Sequence, residues 1–219
     1  AVSKVELLSK TKDSFVGTSY RIEGGREIEN IEIGTPDGTT IFVRKLFYNT
    51  PARLKFLKSP MTEGHYVSNI VERLALSHPN ISFRFINNSK EILNTPGSGN
   101  PIDVIYEIYG RETAEGLLEL NHKTDRFSVK GWLGKADIGR GNRAGEIFFV
   151  NGRYVKDKIV SKALEEGYKQ YLMMHKFPFA VLHIRMDPAL VDVNVHPAKL
   201  EVRFDNQTAI YEFIRSNVE

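Results

Sequence analysis

The sequence predicts an α+β protein of two parts, with helices packed on sheets in a two-layer α/β manner. In the opening part, short β-forming runs alternate with Gly- and Pro-marked turns. Further along, apolar residues recur at three- and four-residue spacing between new strands. The chain has 219 residues, 41% hydrophobic and 26% charged, which suffices for one large domain or two modest ones.

Taken in order, Val5, Leu7 and Leu8 among polar neighbours read as a first strand. Ser19–Glu23 and Glu27–Ile33 flank Gly24-Gly25 as a hairpin. Thr35-Pro36-Asp37-Gly38 is a turn, and Thr39–Val43 supplies the next strand. A helix starts near Ser59-Pro60, with Val67, Ile70, Val71 and Leu74 as its apolar stripe and Pro79 beyond its end. Ile81–Ile86 and Glu91–Leu93 pair across Asn87–Lys90. Residues 94–101 hold only small, polar and turn-forming types, so the boundary is placed there, giving parts 1–96 and 97–219. In the second part, 102–109 and 113–118 suggest a short helix, and Phe127–Leu133 and Glu146–Val150 read as strands. A helix over Ile159–Leu172 carries the stripe Val160, Leu164, Tyr168, Leu172. Phe179–Met186, Val191–Val195 and Leu200–Phe204 are strands, and Thr208–Arg215 closes as a helix.

Composition excludes several classes. With no cysteine, disulfides, thiolate catalysis and Cys-ligated zinc are absent. No apolar run approaches the roughly 18 residues of a membrane span, and Ala1–Glu6 shows neither a basic leader nor an apolar signal core. The net charge of +3 is small, yet residues 123–176 hold 12 Lys and Arg against 6 Asp and Glu. A locally basic stretch is what a phosphate backbone selects, although a solvated lysine-rich face fits it as well.

Familiar catalytic signatures are missing: no Gly-x-x-x-x-Gly-Lys-Ser/Thr loop, no Gly-x-Ser-x-Gly elbow, no His-Glu-x-x-His. Asp192, Asn194 and His196 alternate along one strand and share a face. A hydrogen-bonded strand end is the commoner reason for such a pattern, and no metal site is expected. Phe47, Tyr48, Phe56 and Leu57 are expected in a core, and Arg53 and Lys55 on a solvated helix face.

Long segments do stand out. Gly38-Thr39-Thr40-Ile41-Phe42-Val43 runs through Lys45-Leu46-Phe47-Tyr48-Asn49-Thr50-Pro51-Ala52-Arg53 to Leu57 as a strand, an aromatic corner and a proline-opened basic helix. Phe149-Val150-Asn151-Gly152-Arg153-Tyr154-Val155-Lys156-Asp157-Lys158 follows later, then Val191-Asp192-Val193-Asn194-Val195-His196-Pro197-Ala198-Lys199 up to Phe204. Together these resemble the MutL family of DNA mismatch repair proteins, within the ATPase superfamily that includes gyrase B. The likeness runs in the family's order through nearly the whole chain.

The resemblance implies the C-terminal part of a gyrase B/MutL-type ATPase sandwich, followed by a transducer domain of ribosomal-protein-like βαβ type. It implies that Gly38, Thr39 and Thr40 match the lobe's last nucleotide-contacting motif. Lys199 matches the catalytic transducer lysine that meets the γ-phosphate, and Lys158 a basic DNA-binding position. It further implies ATP and magnesium as cofactors of the intact protein, homodimerisation, duplex DNA and the mismatch-recognition protein MutS as partners, and no membrane. The location would be cytoplasmic and nucleoid-associated in a bacterium, nuclear otherwise. The family's general-base helix, magnesium-holding Asn, adenine-binding Asp-x-Gly-x-Gly and lid do not precede Gly38, so this chain alone is expected to bind nucleotide poorly and to be inactive as an ATPase. Asp137-Ile138-Gly139-Arg140-Gly141 spells Asp-x-Gly-x-Gly but comes after the Gly-Thr motif and is not read as the adenine site.

The residues also support these assignments physically. An ammonium after Pro197 is a point charge suited to phosphate. A Gly-Thr turn can offer backbone N–H and hydroxyl to the same group. Arg140, Arg143, Arg153, Lys156, Lys158 and Lys162 form the expected DNA face, with Lys158 and Lys162 one helical turn apart. Phosphate contacts of this kind are insensitive to sequence and weakened by salt. The competing reading is a nucleotide-independent DNA-binding or scaffolding module.

Overall fold

Turn residues at the expected places fold the opening segment into an antiparallel sheet of β1 (Lys4–Lys10), β2 (Gly17–Glu23), β3 (Arg26–Ile33) and β4 (Gly38–Arg44), in the order β3-β2-β1-β4. The computed structural model describes residues 1–192 and 200–219. They divide into two units, Ala1–His65 and Tyr66–Glu219. In the first, the chain leaves β4 through an aromatic corner where Lys45 and Phe47 have positive φ (52° and 62°), and the Phe47 amide donates to Val2 O at 2.7 Å.

Helix α1 (Pro51–Phe56) begins with proline in its first turn, and none of its residues is buried. The expected aromatic core is not observed here: Tyr48 is 43% exposed, Phe56 81% and Leu57 39%. Six residues make less than two turns of helix, too few to present a continuous apolar stripe. Helix α2 (Pro60–Ser77) starts where expected: the Ser59 hydroxyl accepts from the Thr62 amide at 3.2 Å, and Glu63 accepts from the Lys58 amide at 2.8 Å. Its buried face is not the expected stripe. Ser68, Ala75 and Leu76 are buried, whereas Val67, Ile70 and Leu74 are exposed. The helix is apolar on more than one side, so periodicity alone did not select the packed face.

The second unit adds β5 (Arg84–Asn87), β6 (Lys90–Asn94), α3 (Pro101–Tyr109), α4 (Arg111–Glu115), β7 (Leu117–Lys123), β8 (Phe127–Gly134), β9 (Glu146–Val150) and β10 (Arg153–Val155). Then come α5 (Lys158–Gly167), β11 (Ala180–Met186), the short pair β12 (Val191–Asp192) and β13 (Arg203–Phe204), and α6 (Gln207–Val218). The main sheet has the order β10-β9-β11-β8-β7, with β9 and β11 parallel and its other pairs antiparallel. Strand β7 occupies part of a stretch that reads as helix. Its leucines and glutamate are good helix formers, but pairing with β8 from Leu117 to Lys123 overrides that preference.

The division of the chain differs from the one expected at 94–101. That stretch is folded in: Thr95 is fully buried, its amide donates to Phe83 O at 2.8 Å, and its hydroxyl accepts from the Phe83 amide at 2.9 Å. Asn100 then caps α3 by accepting from the Ile102 amide. Polar, turn-forming residues read as a linker because their hydrogen-bond partners lie outside the stretch itself.

Helices cover both faces of the main sheet. Ile147 and Phe149 of β9 and Val181 of β11 pack with Leu76, Val104 and Ile105. Phe148, Val150, Leu182 and Ile184 point the other way, against Val160 and Leu164 of α5 and Ile210 and Ile214 of α6. Such doubly covered strands read as unbroken apolar runs. The α+β class holds, with a second helical layer formed by α3 and by the end of α2, which the sequence places before the boundary. Helix α5 stops at Gly167, short of the expected Leu172, and the Tyr168 hydroxyl after it donates to buried Gly134 O at 2.6 Å. Leu164 is wholly buried among these layers, so Leu164→Ala is expected to cost about 2–5 kcal/mol, measurable by denaturant unfolding of the two proteins.

Candidate functional site

In the first unit the Gly38–Thr40 motif opens β4. Gly38 has φ of +109°, a conformation disfavoured for residues with a side chain, and no neighbouring atom lies within 4 Å of where its Cβ would be. Glycine is required there by the backbone, not by crowding. Thr39 shares a 2.8 Å hydrogen bond with the Ser9 hydroxyl, and Thr39 and Thr40 are both exposed. Opposite Gly38 in register lies Lys10, whose ammonium pairs with Asp37 and donates to Ser14 O at 3.1 Å. Sequence reading passed over Lys10, since only the pairing of β1 with β4 brings it to the turn.

The fourth residue of the nucleotide set, Lys199, lies outside the described residues, as do Asn194 and His196 of the alternating trio. Among the described residues no group of three or more His, Cys, Asp or Glu could hold a metal ion, and no helix is long and apolar enough to cross a membrane.

In the second unit Arg153, Lys156, Lys158 and Lys162 sit on one connection, the crossover between parallel β9 and β11, whereas Arg140 and Arg143 precede β9. Asn151-Gly152 makes the tight turn from β9 to β10, with φ of 49° and 82°. Asn151 also fixes that turn to β11: its amide donates to Ile184 O at 2.9 Å, and its side-chain oxygen accepts from the Met186 amide at 3.0 Å. Arg153 follows on edge strand β10, exposed. Lys156 is exposed, with its amide held by Leu200 O at 2.7 Å. Asp157 caps α5 by accepting from the Ile159 and Val160 amides, each at 2.9 Å. Burial pushes its carboxyl upward while those two bonds hold it down.

Lys158 occupies the first turn of α5 and Lys162 the next, both exposed, the latter 6.0 Å from the Tyr211 ring centroid. Arg143, from the 3-10 turn Arg143–Gly145, reaches α5 through a fork to Glu165 at 2.5 and 3.0 Å and stacks over Phe177 at 4.7 Å. Glu165 is three residues beyond Lys162, so this pair borders the lysine face. Arg140 is not brought to that group. It is half-buried, donates to the Thr113 hydroxyl at 2.7 Å and lies over the Phe179 ring. An arginine next to a glycine-rich turn reads as exposed, and only the tertiary partners show otherwise.

One residue of this region carried no sequence signal. Glu146, first in β9, is 7% exposed, and neither of its carboxyl oxygens has a hydrogen-bond partner among the described residues. Ser161 and Glu165 lie close enough to act on its charge, Ser161 favouring the ionised form and Glu165 opposing it, although neither completes a well-formed hydrogen bond. Burial raises its pKa to about 7 against the opposing pull of the Ser161 hydroxyl and of Arg143, and repulsion from Glu165 adds to the rise.

The fold is that of MutL and gyrase B ATPase-domain structures. The Aquifex aeolicus MutL ATPase domain complexed with ADP aligns over 99% of this chain and 72% of its own, with TM-score 0.73 at 22% identity. The N-terminal domain of a DNA repair protein covers 98% of this chain and 70% of its own, with TM-score 0.81 at 22% identity. The B-subunit of Myxococcus xanthus DNA gyrase covers 98% and 65%, with TM-score 0.52 at 12% identity. Residues 105–219 match the family described as DNA mismatch repair protein, C-terminal domain. The DNA mismatch repair protein MutL of Agathobacter rectalis is 56% identical over 96% of this chain and 32% of its own length. That of Clostridium acetobutylicum is 44% identical over 100% and 35%. The chain belongs to the MutL family of DNA mismatch repair proteins, and it spans about a third of the length of these relatives.

The Glu146 environment has a consequence for stability. Its folded pKa of about 7 exceeds the ordinary value of 4.5, so between these pH values the folded chain binds more protons than the unfolded one. Stability contributed at this position is full below about 4.5 and falls as pH rises to about 7. Glu146→Gln is therefore expected to raise the melting temperature at pH 8 and to give a gain that shrinks as pH falls. Calorimetric scans of both proteins from about pH 5 to about pH 8 check this.

Proposed function

We propose that the second unit binds duplex DNA through its phosphates, without regard to sequence, on the surface formed by Arg153, Lys156, Lys158 and Lys162 with Arg143 at its border. In the intact protein this surface would serve an ATP- and magnesium-dependent homodimer that couples mismatch recognition by MutS to later repair steps. The observation that carries the reading is the placement of exposed cations on the crossover. Lys158 stands in the first turn of α5, where a cation opposes the helix dipole at a cost of about 0.3–1 kcal/mol. Among the described residues the ion pairs made by α5 glutamates are Arg143–Glu165 and Lys169–Glu166, which leave Lys158 and Lys162 outside them. Cations held in this way suit a polyanion.

The nucleotide half of the reading is supported by the Gly38–Thr40 turn, the family membership and the sequence around Lys199. In it, the Lys199 ammonium stabilises charge on the transferred phosphoryl group and reports nucleotide state to the rest of the protein. The chain alone is expected to hydrolyse no ATP, and Lys199→Ala in the intact protein is expected to lower hydrolysis on the order of 10²-fold. Steady-state hydrolysis assays read both, and an unchanged rate in the variant removes the lysine from the mechanism.

For the DNA surface, duplex affinity is measured across salt concentrations with two unrelated sequences. Equal affinities are expected, and Lys158→Ala with Lys162→Ala should reduce the slope of log K against log salt by roughly 2. An unchanged slope places the phosphates elsewhere. The whole surface lies within residues 143–162, and this favours the second reading, a nucleotide-independent module, to the extent that an ATP analogue leaves the affinity of the intact protein unaltered.

A further inference from the structure

The DNA surface is undercut by a carboxyl that no part of the proposed function uses. Glu146 lies at the start of β9, buried, with neither oxygen hydrogen-bonded among the described residues. From the turn before β9 Arg143 faces it, and from α5 Ser161 and Glu165. On the neighbouring strand β11 its register partner is Ala180, which brings no charge. Two carboxyls thus share one guanidinium, and that guanidinium is already forked onto Glu165. A buried carboxylate with no well-formed hydrogen bond is disfavoured, the Ser161 hydroxyl only partly offsets this, and the group holds a proton in preference.

We propose that Glu146 is a proton-operated control on DNA binding: its neutral form leaves the Arg143–α5 surface fully cationic, and its ionised form sets a negative charge beneath that surface and weakens its grip on phosphate. This rests on the reading of that surface as the DNA interface. Linkage gives the direction. A bound polyanion disfavours ionisation of a carboxyl under it, so binding takes up a proton and affinity falls as pH rises. The transition falls where Glu146 titrates, at about 7. One charge acting over several ångströms at a protein surface changes affinity roughly 3- to 10-fold.

The test uses the purified chain, a duplex of arbitrary sequence and fixed low salt, at pH values from about 6 to about 8, with Glu146→Gln as the permanently neutral form. Carbon-detected NMR of the glutamate carboxyls is recorded with and without duplex. The expected result is a Glu146 resonance that titrates near neutrality and moves upward when duplex is added. Wild-type affinity should fall roughly 3- to 10-fold more than that of E146Q over the same pH span. Parallel pH curves with intact binding, or a Glu146 resonance in the ordinary carboxylate range, overturn the control and leave the interface standing. Absence of duplex binding by both proteins at low salt overturns the interface reading and the control with it.

Discussion

The parallel pairing of β9 with β11 is the constraint on which the second unit turns. Antiparallel neighbours can be joined by a short turn, but a parallel pair needs a crossover long enough to carry the chain back along the sheet. Here that crossover contains β10, the Asp157-capped helix α5 and the segment up to Ala180. Every exposed cation of the proposed DNA surface except Arg143 lies on it. The pairing also buries both strands on both faces, Phe148 toward α5 and Phe149 toward α2 and α3, which holds the crossover at a defined place over the core.

Asn151 connects that constraint to function. Its positive φ is tolerated by a residue that favours such conformations, and its amide and side-chain oxygen are both bonded to β11. The turn is thereby tied to the central strand, and Arg153, Lys156 and Lys158 follow within a few residues. A surface meant to receive phosphates gains from such anchoring, because cations already in place lose little conformational freedom on binding. Glu146 belongs to the same arrangement at the other end of β9. The strand that seats the turn also buries the carboxyl against α5, so the cationic surface and its proton-binding neighbour come from a single packing decision.

In the first unit the determinants are local. Gly38 opens β4 because its backbone adopts a conformation few other residues accept, and Gly24-Gly25 closes the preceding hairpin for the same reason. Strand pairing then sets Lys10 opposite Gly38 and Ser9 beside Thr39. These contacts prepare a turn whose residues Gly38, Thr39 and Thr40 remain exposed.

Turn chemistry, capping residues and periodicity over short spans are enough to make the class of fold, most strands, the starts of α2, α5 and α6, and the basic crossover legible in the amino-acid order. Val160, Leu164 and Tyr168 form the buried stripe they were expected to form. Tertiary structure alone decided which face of α2 packs, that residues 66–96 belong with the second unit, and that Leu117–Lys123 is a strand. It alone turned Arg140 toward Thr113, bound Arg143 to Glu165 and buried Glu146. Arg140 and Arg143 depend on partners more than twenty residues away, Glu146 and α2 on a second layer covering the sheet, and Leu117–Lys123 on pairing with β8, none of which can be read from the spacing of neighbouring residues.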